Sequence, residues 1–288
     1  MKILFVGVFD TNRKSTNTSQ LVSFKRLGHE VWGYNYKAKA ALLGATERDK
    51  RLVSTIAIGA FDLVVFSKCN FLPESVFVES RRHAKTCLWF MDPITTYSEN
   101  MKRKTGLVDY FCCDKESVLL VAQKINLNSF HVHEGFDSDV DKPCEVPNEY
   151  DVSFIGNLYG PRALLLNQIN VPVKVINGVY GKEHAKEVSK SRINLNFCTD
   201  NDASDRVYKI LATKGFLLSN DWYKRDKYFI NGEDCVIFND SEDLNKKIEY
   251  YLQNPELRKK IALSGFKKVQ QFNRINWAKR IIELYDEC

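Results

Sequence analysis

Apolar residues along this chain gather into short continuous runs, separated by longer stretches where they recur three or four residues apart. The first run is "KILFVGV" at 2–8. An unbroken apolar run of this length reads as a strand covered on both faces. "EVWGYNY", "DLVVFSK" (62–68), "AKTCLWFMD" (84–92), "DYFCC" (109–113) and "FHVHEGF" repeat the pattern. Helical spacing fills the gaps: "LVSFKRLGHE" with Gly28 as its stop, 46–58, "PESVFVESRRH" with Pro73 near its start, and about 115–125. Strand alternating with helix implies a parallel sheet with right-handed crossovers.

Residues 138–149, "SDVDKPCEVPNE", break the alternation with polar residues and two of the seven prolines, as a linker would. A second alternation follows. "DVSFIGN" (151–157), "VKVING", "INLNF" and "CVIFND" (235–240) read as strands. "PRALLLNQI", a segment near 182–190 and the opening of "DASDRVYKILATKGFLLSN" (202–220) read as helices, the last delivering the chain into another strand. Three helical segments end the chain. The expected fold class is therefore α/β, with two Rossmann-like domains facing a cleft. Their expected bounds are 1–140 and 150–272, with a helix over 273–288. In open sheets of this kind, ligands bind beyond the carboxyl ends of the strands.

Composition narrows the class. The chain has 288 residues, 44% hydrophobic and 27% charged, enough for a large core at the border between one domain and two. No stretch approaches the ~18 consecutive apolar residues of a membrane span. The apolar run after Lys2 has no small-residue cleavage site and fits a buried strand better than a leader. A soluble, cytoplasmic protein is expected. The eight Cys form no CxxC pair and fall mostly inside strand-like runs, so buried reduced thiols are expected, with Cys112 and Cys113 on opposite faces of one strand. The net charge is +6, and residues 1–140 hold 19 Lys and Arg against 15 Asp and Glu. Such a bias permits an anionic partner without demanding one.

Candidate chemistry is sought just after each strand. Gly7, Asp10, Thr11, Asn12, Ser15, Thr16 and Asn17 follow the first strand without a GxGxxG pattern, which argues against a dinucleotide. This loop either touches a substrate or caps a helix with Ser15 or Thr16. Lys68 ends the third strand and could meet an anion or water. Asp92 ends the fourth among apolar residues, where a carboxylate can act as a base, or cap the turn before Pro93. Gly156 and Asn157 end the first strand of the second half. Gly156 permits a close backbone approach, and Arg162 beyond it could grip a diphosphate with its fork. Ser204 and Asp205 are N-cap candidates, Arg206 and Lys209, three apart, share a helix face, and Tyr208 lies on the same first turns. Free amides plus two cations would suit a nucleotide diphosphate; a capped helix with solvated charges is the alternative.

"DVSFIGNLYGPR", "KSRINLNF", "SDRVYKILATKGFLLSN", "FINGEDCVIF", "SEDLNKKIEYYLQNPELRKKIALSG" and "NWAKRIIELY" resemble, in order, the C-terminal domain of group 1 glycosyltransferases. The branch that includes spore-coat maturation glycosyltransferase-like proteins is the most similar, and "LGHEV" and "LWFMDP" look like its N-terminal half. The resemblance implies a GT-B fold, with acceptor held by the first domain and a nucleotide-sugar, UDP-linked, by the second. It also implies a last helix that crosses back to the first domain and a diphosphate held by cations and a helix N-terminus without a metal. No cofactor is then needed. Gly156, Asn157, Arg162, Ser204, Asp205, Arg206, Tyr208 and Lys209 would bind donor. Thr11, Asn12, Ser15, Thr16, Asn17 and Lys68 would bind acceptor, with Asp92, or Asp10 as its rival, as base.

One departure concerns Lys209, where many relatives carry a Glu that holds the ribose hydroxyls. A lysine cannot accept those hydrogen bonds. Either Lys209 binds phosphate, or another group such as Asp205 holds the ribose. Compact enzymes of this look include bacteriophage proteins that modify hydroxymethylated DNA bases. Arg13, Lys14, Lys37, Lys39 and the run Lys102-Arg103-Lys104, expected in loops, could serve such an acceptor. A surface glycan or a protein is the other acceptor class. A module that binds nucleotide-sugar or nucleic acid without turnover is the rival of a different kind.

Overall fold

The computed structural model describes residues 1–10 and 15–288. They divide into two compact units, Met1–Glu134 with Arg274–Cys288, and Gly135–Asn273.

The first unit runs β1 (Lys2–Gly7), α1 (Thr16–Arg26), β2 (Glu30–Asn35), α2 (Tyr36–Leu43), α3 (Ala45–Gly59), β3 (Leu63–Ser67), α4 (Glu74–Arg81), β4 (Lys85–Phe90), α5 (Glu99–Thr105), β5 (Tyr110–Cys113), α6 (Glu116–Ala122) and β6 (Ser129–His131). The strands form a parallel sheet in the order β2-β1-β3-β4-β5-β6, with Leu4 opposite Val64 and Val65 opposite Cys87. Alternate residues feed two cores. Leu4, Val6, Val64, Phe66, Leu88 and Cys113 face one; Ile3, Phe5, Leu63, Val65, Trp89 and Cys112 face the other. The doubly covered runs of the sequence are explained by this alternation. Cys112 and Cys113 do point to opposite faces, and all eight cysteines are free thiols.

The second unit runs β7 (Tyr150–Ile155), α7 (Arg162–Asn167), β8 (Val173–Ile176), α8 (Gly181–Ser189), β9 (Ser191–Asn196), α9 (Asp205–Ala212), β10 (Leu217–Asn220), β11 (Val236–Phe238), α10 (Ser241–Gln253) and α11 (Pro255–Val269). Its parallel sheet has the order β11-β10-β9-β7-β8. The stretch read as a linker lies within this unit, where Cys144 N–H donates to Ser189 Oγ and Glu149 N–H to the Lys190 carbonyl.

The last helix, α12 (Arg274–Glu287), belongs to the first unit. It lays Trp277, Ala278, Ile281 and Leu284 into the core that holds Phe5, Phe24 and Trp89. The Trp277 ring lies 5.2 Å from Phe24 and 5.4 Å from Trp89, and Tyr110 Oη donates to the Ile281 carbonyl at 3.0 Å.

The sequence reading missed α5, and this changes the meaning of its basic run. Lys102 pairs with Glu99 and Arg103 with Glu74. Lys104 is fully buried and donates to the Cys69 and Asn70 carbonyls at 3.2 and 2.9 Å. The loop placement of this run is thus corrected: the helix turns Lys104 inward, where it serves as a fastener and not as a DNA contact. Lys37 and Lys39 lie on α2 over the rings of Phe71 and Tyr34, and Arg13 and Lys14 fall outside the described residues.

Candidate functional site

In the second unit, the carboxyl ends of β7, β9 and β10 meet the first turn of α9. The organiser is Asn196, the last residue of β9 and fully buried. Its Oδ1 accepts from Ser204 Oγ at 2.9 Å and Arg206 Nε at 3.1 Å, and its Nδ2 donates to Ser219 Oγ at 3.0 Å. Beside it, Cys198 N–H donates to Asn220 Oδ1 at 2.7 Å. Sequence reasoning missed Asn196. The signal was there: two asparagines in "INLNF", a strand that is otherwise apolar.

Arg206 lies across Gly156. A Cβ on that glycine would stand 2.7 Å from Arg206 Nη1, and Gly156 has φ +151°, which side chains rarely adopt. Gly156 therefore does permit a close approach, but by a guanidinium of the chain itself. The same guanidinium stacks 5.6 Å over Phe154, and its Nη2 is buried without an acceptor. Arg162 lies close enough that, after burial, the repulsion from Arg206 is the main force lowering its pKa. Neither arginine has a carboxylate partner among the described residues. Two adjacent cations held in low dielectric without a counter-ion are unfavourable until an anion joins them.

Several expected donor contacts take other roles. Arg162 is 2% exposed and donates to the Asn157 and Phe197 carbonyls and to Thr199 Oγ1, with Tyr159 stacked 3.9 Å above it. Burial removes its fork from direct reach, so it positions the loops around Arg206. Asn157 contributes that carbonyl from an exposed turn. Ser204 is the N-cap residue by backbone shape, yet its hydroxyl bonds Asn196 and not a helix amide. Lys209 is ion-paired to Asp205 one turn earlier, so it does not join Arg206 as a second uncompensated cation. Tyr208 is 3% exposed, with its ring near Phe229 and Phe272, and belongs to the buried cluster that holds Val207, Ile210 and Trp222.

In the first unit, the ends of β3 and β4 bring Lys68 and Asp92 together. Lys68 Nζ lies 3.0 Å from both carboxylate oxygens, and each side chain is about one-third exposed. Asp92 is thus ion-paired, and the cation beside it is Lys68, which follows the neighbouring strand. Lys68 and Cys69 are consecutive residues at φ 58° and 54°. Left-handed backbone on two non-glycine residues stores strain, a feature that gathers at functional sites. The buried ammonium of Lys104, on the Cys69 and Asn70 carbonyls, holds that turn.

The loop after β1 is more structural than expected. Ser15 caps α1, accepting from Asn17 N–H at 3.2 Å and donating to the Val8 carbonyl, and Thr16 opens the helix. Asn17 is buried and accepts from Ser67 Oγ at 2.7 Å. These ties withdraw Ser15 and Asn17 from acceptor binding. Asp10 is half-buried with its backbone on Thr18. Thr11 and Asn12 lie outside the described residues.

Among the described residues, one group has metal-ligand spacing, Asp114, His131 and His133, with one ligand atom each within 4.8 Å of one another. Asp114 already accepts from Lys115 Nζ and the Glu134 N–H, both at 2.6 Å. The ammonium of Lys115 supplies the positive charge there.

Residues 145–286 match the family model described as glycosyl transferase-like. No curated protein sequence matches the chain. Among solved structures, HepE of Anabaena, determined with UDP, has a TM-score of 0.72 at 10% identity, over 100% of both chains. A glycosyltransferase of Rickettsia africae has a TM-score of 0.73 at 13% identity, over 99% of this chain and 98% of that one. The lipopolysaccharide outer core galactosyltransferase WaaB, in its apo form, has 0.63 at 10% identity, over 100% and 99%. At such identities the likeness is one of fold. The second half of the chain thus matches the glycosyl transferase-like family model, and the two parallel α/β units of the chain have the fold of GT-B glycosyltransferase structures.

Proposed function

We propose that this chain is a glycosyltransferase that moves a sugar from a UDP-sugar to a hydroxyl acceptor. The observation that carries the reading is the uncompensated Arg206 guanidinium, laid over Gly156 beside Arg162 at the strand ends of the second unit. A diphosphate there would meet Arg206, the first turn of α9 and the field of Arg162. UDP as the nucleotude's class is supported by the HepE structures solved with UDP and with UDP-glucose.

In transfer, the bond from the anomeric carbon to the diphosphate oxygen breaks and the acceptor oxygen bonds that carbon. The electron pair leaves with the diphosphate, whose growing charge Arg206 stabilises. The acceptor proton passes to a carboxylate. Asp92, steered by Lys68, is the proposed acceptor-side group, with Asp10 as the alternative. Charge stabilisation by guanidinium predicts that removing divalent ions leaves the rate unchanged.

The test is thermal shift and donor hydrolysis with UDP-, GDP-, ADP- and dTDP-sugars, then acceptor trials with hydroxymethylated DNA, glycans and proteins. A UDP-sugar should stabilise the protein and be slowly hydrolysed. Arg206→Gln should lower turnover by about 10²–10³, the usual cost of one group that meets developing charge. Asp92→Asn should abolish transfer and spare donor binding. Binding without turnover on any acceptor would favour a non-catalytic module, and no binding of any nucleotide-sugar would overturn the reading.

A further inference from the structure

A cavity lies at the opposite end of the same sheet from the Arg206 site, where the strands of the second unit begin. Its volume is about 350 Å³, within the range of small-molecule sites. Asn148 precedes β7, Ser191 and Arg192 open β9, and Gly215 and Phe216 lead into β10. In a parallel sheet these amino ends lie together at one end, away from the Arg206 site at the carboxyl ends.

The lining has two parts. Val188, Phe216, Ala262 and Leu263 give it an apolar wall, and Arg192, Lys214, Arg258 and Lys259 give it four cations, with no Asp or Glu in the lining. Two of the cations are balanced nearby: Arg192 pairs with Asp151 and Lys259 with Glu256. Lys214 touches only the Phe266 ring, 4.9 Å away, and Arg258 has no carboxylate in contact.

Arg258 is the built element. It is 8% exposed, and only its Nη1 is bonded, to the Tyr251 and Leu252 carbonyls at the end of α10. Its Nε and Nη2 donate to nothing in the protein. Burial and then the nearby Arg192 lower its pKa, while the Asp151 carboxylate acts the other way from beyond contact distance. A guanidinium fixed at one end, with two free donors in a cavity wall, has the fork that grips a phosphate.

We propose that this cavity binds a small soluble phosphate ester, with its phosphate on Arg258 and Lys214 and its apolar body against Phe216, Ala262 and Leu263. The proposal does not depend on the donor reading, because it uses no residue of that site.

Phenyl phosphate titrated into the full chain by calorimetry tests it. Saturable binding is expected, weaker for inorganic phosphate and absent for phenol. Excess UDP should leave the affinity unchanged, which separates this cavity from the donor site. Lys214→Asn removes the charge and keeps a residue that tolerates the backbone φ of 56° at that position. It should weaken binding by roughly tenfold, the scale of one charge-assisted hydrogen bond. Arg258→Gln should weaken it further. Because Arg258 also ties α10, the double variant Lys214→Asn with Lys259→Gln, both at exposed side chains, supplies a folding-neutral comparison. Unchanged affinity in Lys214→Asn and in the double variant would overturn the proposal, as would competition by UDP. Capture by phosphatidate vesicles with no phenyl phosphate binding would overturn the soluble ligand.

Discussion

At the scale of single residues, the donor site turns on what Gly156 lacks. Its missing Cβ leaves the space that Arg206 fills, and Asn196 fixes that guanidinium from the other side. Gly156→Ala should therefore displace Arg206 and strain a backbone at φ +151°. A loss of about 1–3 kcal/mol of stability is expected from the strain alone. UDP affinity should fall as well, and chemical unfolding with a UDP titration on the same protein measures both. Asn196→Asp is the complementary change. It places a carboxylate against Arg206 Nε, compensates the cation from within, and should weaken UDP binding with little loss of fold. A variant that binds UDP as tightly as the parent would show that Arg206 does not face the diphosphate. Gly156 and Arg206 were both legible in the sequence as residues at a strand end and a helix start. Their contact was not, because they are 50 positions apart in the chain. Arg162 and Tyr208 misled for a related reason: type and spacing place a residue on an element, and burial alone decides which way its side chain goes.

At the scale of elements, α8 and α9 enclose a histidine with a clear pH signature. His184 is 7% exposed, and neither ring nitrogen has a hydrogen-bond partner. Burial, and secondarily the charge of Lys209, lowers its pKa from 6.5 to about 3. The native imidazole therefore stays neutral while the unfolded one takes up a proton. Its contribution to stability is complete above pH 6.5 and is lost progressively as pH falls towards 3. The slope in that window is about 1.4 kcal/mol per pH unit. His184→Leu should flatten the acid side of the stability curve relative to the parent. Urea unfolding followed from pH 7 down to pH 4 checks this, and parallel curves for the two proteins would contradict it. The apolar runs announced almost every strand of both sheets, since burial on two faces leaves a continuous signature. The short helices α2 and α5 gave no such signature. α2 buries only Tyr36, and α5 holds a single apolar residue, Met101, so neither writes a buried apolar stripe.

At the scale of the whole molecule, the first unit is discontinuous in sequence: its core is completed by α12, which follows the entire second unit. Phe5, Phe24 and Trp89 close around Trp277 only when that helix is in place. Trp277→Ala should cost about 3–5 kcal/mol, as large aromatic truncations in cores do. Trp277→Phe should cost clearly less, because the ring stays and a buried Nε1 that lacks an acceptor is removed. Unfolding curves for the two variants would settle the order, and equal losses would show that α12 packs loosely. Among the described residues no helix is long and apolar enough to cross a membrane.

The sequence by itself determined the α/β class, the two alternating halves and the strand ends where chemistry had to be sought. Periodicity and turn residues are local, and each element wrote its own signature. The glycosyltransferase resemblance was also carried by order and composition of motifs, chiefly beyond residue 151. Tertiary structure alone decided which charges are spent. It paired Lys209 with Asp205 and Lys68 with Asp92, buried Arg162 and Lys104, and left Arg206, Lys214 and Arg258 without carboxylates. A charged side chain looks alike in sequence whether it is neutralised, buried or waiting for an anion. The difference lies in neighbours that only the folded chain brings within reach.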